Sequence, residues 1–326
     1  MTEHSKIDRK SAERAHKSAS LFERADAAFG LDRIAPAVVP NNLPRTKRPP
    51  ERAQASPAPR PAPSESARVQ TQPAPTPRVE QPLALKGQRV TVDRGKLRDA
   101  GLIVPEEPVT GLLEEFRIVK RELIADARAA GDDASRRVLV CSPHSGEGKT
   151  YCAANLALAL SAERDIEVVL VDADVINPSV SRRLGIEEGA GLMDALVDPS
   201  IKPENLVSAT DIDGLFVMQA GTSSVLDAEY LTSARTGEVL DRLTRGAPNR
   251  FLIFDTPPAL AASPAAELAA HAGQALLVVR ADETSRAALD DARQLLSACP
   301  DIKLLLNAAQ FSPSGRRFGD YGEREE

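Results

Sequence analysis

Four short stretches hold the residues whose types and spacing suit phosphoryl chemistry. The first is "PHSGEGKT", Pro143 to Thr150. Gly146 and Gly148 permit backbone angles that aim N–H groups at one point, and a helix opening just after them adds its positive N-terminus. Lys149 is placed to reach β- and γ-phosphates, and the Thr150 hydroxyl suits Mg²⁺. Gly146, Glu147, Gly148, Lys149, Thr150 and the adjoining Tyr151 are the expected nucleotide-binding set. Pro143 stands where the common G-x-x-x-x-G-K-[ST] pattern has its first glycine.

The second stretch is "VVLVDADVINP", where Asp172 and Asp174 sit at i and i+2 as an apolar run ends. Two carboxylates there can face a nucleotide and its metal together. The third is "FLIFDTPP": Asp255 follows four apolar residues, and an acid buried that deeply needs a partner, for which Mg²⁺ or its water shell is the natural choice. The fourth is "LLLNAAQ", where Asn307 ends an apolar run and offers an amide to a purine edge. His144 lies in the first loop and is expected to be a spectator.

These residues need elements to position them. "RVLVCS", "EVVLVDAD", "GLFVMQAG", "RFLIFDTPP", "QALLVVRA" and "IKLLLNAA" read as strands. "YCAANLALALSAE", "GLMDALVD", "EVLDRLTR", "SPAAELAAHA" and "SRAALDDARQLLSA" alternate with them as helices. Continuous apolar strands alternating with helices predict an α/β fold, a parallel sheet covered by helices on both faces. Ligands on such sheets bind beyond the carboxyl ends of the strands, where all four stretches fall.

Composition divides the rest. From Ala35 to Pro82 the chain is Pro, Ala, Arg, Ser and Gln, with about half of its 25 prolines. Such a segment buries too little apolar surface to offset its ordering entropy. The expected organisation is an amphipathic segment 1–34, a disordered linker 35–85, an accessory segment and charged helix 86–135, a nucleotide-binding domain 136–310 and a flexible tail 311–326. Residues 1–82 hold 14 Lys/Arg and 9 Asp/Glu, a balance of +5 against −6 for the whole, so the remainder carries −11. That acidity argues against nucleic acid as a partner. Cys141, Cys152 and Cys299 form no C-x-x-C pair, so neither a zinc site nor a disulfide framework is expected. No apolar run approaches the length of a membrane span, and the opening "MTEHSKIDRK" does not read as a signal peptide, so a cytoplasmic protein is expected.

Taken together, "SGEGKTYCAANLALAL", "VLVDADVINPSVSRRLG", "GLMDAL", "AEYLTSARTGEVLDRL", "FLIFDTPP" and "LLLNAAQ" resemble the deviant-Walker P-loop ATPases, the class of the chromosome-partitioning switches. Within it they look most like the bacterial tyrosine autokinases of capsule and exopolysaccharide export, in the exosortase-associated branch. "SLFERADAAF", "VTVDRGKLRDAGLIVPE" and "EEFRIVKRELI" resemble that branch's elements ahead of the catalytic core.

The resemblance implies ATP and Mg²⁺ as ligands. It puts Lys149, Asp172 and Asp174 in catalysis, with Asp172 orienting or deprotonating a tyrosine. Thr150, Asp174 and Asp255 fall on the metal positions. It further implies transfer of the γ-phosphoryl to a tyrosine of the chain's own tail, within a homo-oligomeric ring. Activation by a membrane-spanning chain-length regulator, or co-polymerase, would place the protein peripherally at the inner membrane. The tail "GRRFGDYGEREE" makes Tyr321 the expected acceptor.

Departures from the family pattern include Ser145 where a proline is usual, and His144 where the partitioning switches carry a lysine. In the family's ring-forming Glu-x-x-Arg-x-x-Arg pattern, Glu114 and Arg117 match but Lys120 takes the last place. A nucleotide-switch ATPase or scaffold docking on a membrane partner is the alternative that the single tail tyrosine keeps open.

Overall fold

The computed structural model describes residues 81–309. The amphipathic segment 1–34, most of the linker and the tail with Tyr321 lie outside the described residues.

The described chain opens with β1 (Arg89–Val90), α1 (Arg94–Asp99) and α2 (Gly111–Ala130). The alternating core follows: β2 (Arg137–Cys141), α3 (Lys149–Ser161), β3 (Glu167–Asp172), α4 (Val180–Leu184) and α5 (Leu192–Val197). Next come β4 (Val207–Thr210), β5 (Leu215–Met218), α6 (Asp227–Thr232), α7 (Ala234–Thr244) and β6 (Arg250–Asp255). The last elements are α8 (Pro264–Ala269), β7 (Gln274–Arg280), α9 (Arg286–Leu295) and β8 (Asp301–Asn307). One sheet runs in the order β1-β4-β5-β3-β6-β2-β7-β8.

The sheet is mostly parallel, as the continuous apolar strands require. The exception is β4, which pairs antiparallel with β5 and parallel with β1. Neither β1 nor β4 is legible in the sequence: "RV" and "VSAT" are too short and too polar to carry a period. The short helices α1 and α4 escape for the same reason. Ordered contacts also begin inside the stretch assigned to the linker. The Leu83 carbonyl accepts from Arg250 at 3.1 Å, and Lys86 N–H donates to the Glu204 carbonyl at 2.7 Å.

Alternate strand residues feed two cores, because side chains point to opposite faces. Val138 and Val140 join Leu123, Leu156 and Leu170 on the face covered by α2 and α3. Leu139 and Cys141 join Val171, Leu240 and Leu268 on the face covered by α5 to α9. Helix α3 is buried nearly all round, because it lies between the sheet and α2, and its Ala/Leu sequence has no polar stripe to show to water.

Helix α2 is amphipathic. The Thr110 hydroxyl caps it by accepting from Leu113 N–H, and Gly131 ends it at φ 72°. It buries Phe116, Leu123 and Ile124, and truncating Leu123 to Ala should cost about 2–5 kcal/mol. Lys120 also points inward. Its Nζ donates to the Ala159 carbonyl at 2.7 Å and pairs with Glu163 at 2.8 Å, which closes the carbonyl end of α3.

Candidate active site

The ends of β2, β3, β6, β7 and β8 bring the four stretches to one place. Pairing of β3 with β6 sets Asp172 directly beside Asp255, and pairing of β6 with β2 sets Asp255 beside Val140, just ahead of the phosphate loop. Helix α3 starts at Lys149, with Gly148 at its N-cap and φ 102°. At φ 102° a side chain is strained, and a Cβ on Gly148 would also displace the Asn307 amide, 2.1 Å away.

Lys149 Nζ donates to Asp174 Oδ2 at 2.7 Å. The other oxygen, Asp174 Oδ1, accepts from Asn177 N–H at 3.1 Å. Asp172 is differently engaged. Its Oδ2 accepts from Ser179 and Val180 N–H, each at 2.9 Å, and its Oδ1 accepts from Asp174 N–H at 3.3 Å. It therefore caps the start of α4 and braces the loop that carries Asp174. Burial pushes its carboxyl up to about 6, against the lowering effect of those N–H groups.

Asp255 is 0% exposed, and neither of its oxygens has a hydrogen-bond partner. Burial pushes it up to about 7; Lys149 opposes the shift and Asp172 adds to it. The Thr150 hydroxyl lies beside it without meeting hydrogen-bond geometry, and accepts instead from Ser179 Oγ at 3.4 Å. An orphaned buried carboxylate next to a hydroxyl fits a hard cation bound through oxygen or through its water shell. Asp255, Thr150 and the neighbouring Asp174 make a donor set suited to Mg²⁺.

The other predicted ligands are placed less directly. The Glu147 side chain is buried and turned back into its own loop, accepting from His144 N–H at 2.7 Å, so Glu147 is available to a phosphate only through its backbone. The Asn307 amide donates to the Glu147 carbonyl at 2.9 Å, and its Oδ1 accepts from Ala308 N–H at 2.9 Å. One amide proton and one lone pair remain for a base. Tyr151 packs against the α2–α3 core, and its ring lines a cavity of about 470 Å³ shared with Phe116, Lys303 and Asn307. The His144 side chain is exposed. Tyr321 lies outside the described residues.

Sequence reasoning missed Ser142, Ser179, Arg280 and Thr284, all of which contact the loop or Thr150. A lone hydroxyl or guanidinium after a strand carries no pattern of its own. Cys141, Cys152 and Cys299 are buried free thiols, the first two pushed up by burial to about 11 and about 12. Thiols held protonated in this way are poor metal ligands.

A family model described as ParA, NUBPL iron-transfer P-loop NTPase, matches residues 133–305. The tyrosine-protein kinase YwqD of Bacillus subtilis (strain 168) is 29% identical over 235 residues, which is 72% of this chain and 96% of YwqD. The putative tyrosine-protein kinase EpsB of Ralstonia solanacearum is 31% identical over 243 residues, 74% of this chain; the chain spans only 30% of EpsB. Among solved structures, the kinase domain of the Escherichia coli tyrosine kinase ETK superposes with a TM-score of 0.53 at 19% identity. That match covers 68% of this chain and 91% of the kinase domain, and it shows a shared fold. The resemblance to bacterial tyrosine kinases read from the motifs is thus borne out among the relatives.

Proposed function

This chain belongs to the ParA family of P-loop NTPases, and from that premise we propose that it is an ATP-dependent protein-tyrosine autokinase. Its relatives named tyrosine-protein kinases support the activity. The observation that carries it is the side-chain set at the strand ends: Lys149 and Asp174 paired at the mouth of the loop, above an unpartnered Asp255 beside Thr150.

Phosphoryl transfer is mostly positioning and charge neutralisation. The loop N–H groups and the N-terminus of α3 hold the β- and γ-phosphates, and Lys149 leaves Asp174 to meet them. Thr150 and Asp255, with the charge of Asp174 near, would hold Mg²⁺, which would supply neutralisation of phosphate charge. The tyrosine oxygen attacks the γ-phosphorus, the bond to the β–γ bridging oxygen breaks, and ADP leaves.

The hydroxyl proton needs a carboxylate. The sequence reading assigns it to Asp172, but three backbone N–H groups occupy that side chain. We therefore transfer the orienting role to Asp174, whose Oδ2 is freed when Lys149 turns to the phosphate. Tyr321 in the tail is the acceptor, in the chain's own assembly. The process served is polymerisation or export of an exopolysaccharide, at the cytoplasmic face of the inner membrane, with a membrane-spanning chain-length regulator as partner. Among the described residues no helix is long and apolar enough to cross a membrane, so attachment would run through that partner or through residues outside this set.

Incubation of the full chain with Mg-ATP, followed by mass spectrometry, tests the reading. Phosphotyrosine on the native chain, absent from Lys149→Met, is expected. ATP turnover with no phosphotyrosine would overturn it in favour of a nucleotide switch.

A further inference from the structure

A phosphate cradle works only if its N–H groups point inward, which leaves its carbonyls to be satisfied from outside. In this loop side chains meet three of them. Ser142 Oγ donates to the His144 carbonyl at 2.7 Å, Arg280 Nη1 to the Gly146 carbonyl at 3.2 Å, and Asn307 Nδ2 to the Glu147 carbonyl at 2.9 Å. The fourth tie is through a side chain of the loop itself. Glu147, 5% exposed, accepts from His144 N–H on one oxygen and from the Thr284 hydroxyl on the other.

The Thr284 hydroxyl is oriented for that contact. It accepts from Arg280 N–H at 2.8 Å, so its own proton is left for the carboxylate. The turn from Arg280 to Thr284 contains Asp282 at φ 62°, a left-handed backbone rare for a residue with a Cβ. This turn delivers one hydroxyl onto a buried carboxylate.

We propose that Thr284 is a positioning residue for the nucleotide, acting on the phosphate loop through Glu147. The proposal rests on the reading of this loop as the nucleotide site. The turn after β7 thereby takes over bracing that a loop with Pro143 in place of the first glycine does not supply by itself. Thr284 touches no phosphate. It keeps Glu147 fixed, Glu147 keeps His144 N–H fixed, and the Gly146–Gly148 backbone is held in its inward-facing form.

The test uses the full chain and ADP with Mg²⁺ as the probe, read by calorimetry. Thr284→Val should weaken Mg-ADP binding about tenfold and, because the same hydrogen bond exists without nucleotide, lower the ligand-free Tm by a few degrees while the chain stays folded. Thr284→Ser should restore affinity to near the native value. In a phosphoryl-transfer assay, KM for ATP should rise while kcat at saturation holds within about twofold.

Glu147→Gln combined with Thr284→Val should be no weaker than Glu147→Gln alone, because the two act as one unit. Native-like binding by Thr284→Val would overturn the proposal, and so would additive losses in the double variant. If the native chain fails to bind Mg-ADP at all, the nucleotide reading falls and this inference falls with it. Native binding with an unaffected Thr284→Val overturns the inference alone.

Discussion

Lys149 Nζ lies 2.7 Å from Asp174 Oδ2, and the two side chains are 13% and 4% exposed. The residue proposed to meet phosphate is thus paired with a carboxylate at the mouth of the loop. Removing one member strands the other in a buried place, which is more damaging than removing both. Lys149→Met should abolish phosphotyrosine and also lower the stability of the chain by about 3–5 kcal/mol. The double variant Lys149→Met, Asp174→Asn should recover most of that stability, and none of the activity. Urea unfolding beside the mass-spectrometric assay separates the two effects.

Asp255 makes the ligand-free protein sensitive to pH. Burial raises its carboxyl to about 7 in the folded chain, against an ordinary value of 3.8. Between those values the folded state holds a proton that the unfolded state has released, so stability falls as pH rises through the window. Asp172, pushed up to about 6, adds to the same slope over the lower part of it. The expected outcome is a Tm that drops from pH 5.5 to pH 8 and flattens in Asp255→Asn. A Tm in native protein that climbs over this range would contradict the assignment.

Mg²⁺ held through Asp255 would require that carboxylate ionised, so metal affinity should run opposite to stability. Below about pH 7 affinity should fall about tenfold per pH unit, since binding releases one proton. Asp255→Asn should remove the metal dependence of nucleotide binding and leave the chain folded, because a neutral amide is cheaper to bury than a carboxylate. Titrating Mg²⁺ against ADP-loaded native and variant chains at several pH values reads both effects.

Tyr321→Phe should remove most of the phosphate that forms on the native chain. Tyr151 packs against the core and is half-buried, which makes it the poorer acceptor. Phosphopeptide mapping that finds the label mainly on Tyr151 would remove the tail from the mechanism.

Lys120 has turned inward, so its part in the ring-forming pattern is taken by a structural role. Lys120→Gln should lower stability by about 1–3 kcal/mol, through loss of the contacts to Ala159 and Glu163. The mass read by light scattering should match that of the native chain. Glu114 and Arg117, which pair with one another at the surface, are left as the members of the pattern open to a neighbouring copy.

Much of this protein is legible in its sequence. The apolar runs ending at Asp172 and Asp255 fix two central strands and the depth of their acids, because a parallel strand covered on both faces must be apolar throughout. "SGEGKT" fixes the loop and the start of α3, because Gly148 at the N-cap takes a left-handed backbone that favours glycine. Tertiary structure alone decided how those groups divide the work. Asp172 and Asp174 look equivalent two residues apart, yet Asp172 is spent on the N-terminus of α4 and Asp174 on Lys149. A five-residue helix and a four-residue antiparallel strand leave no period to read. The ties from Thr284 and Asn307 to Glu147 span 137 and 160 residues, and hydrogen bonds of that reach depend on where the sheet sets two strand ends, which no local pattern records.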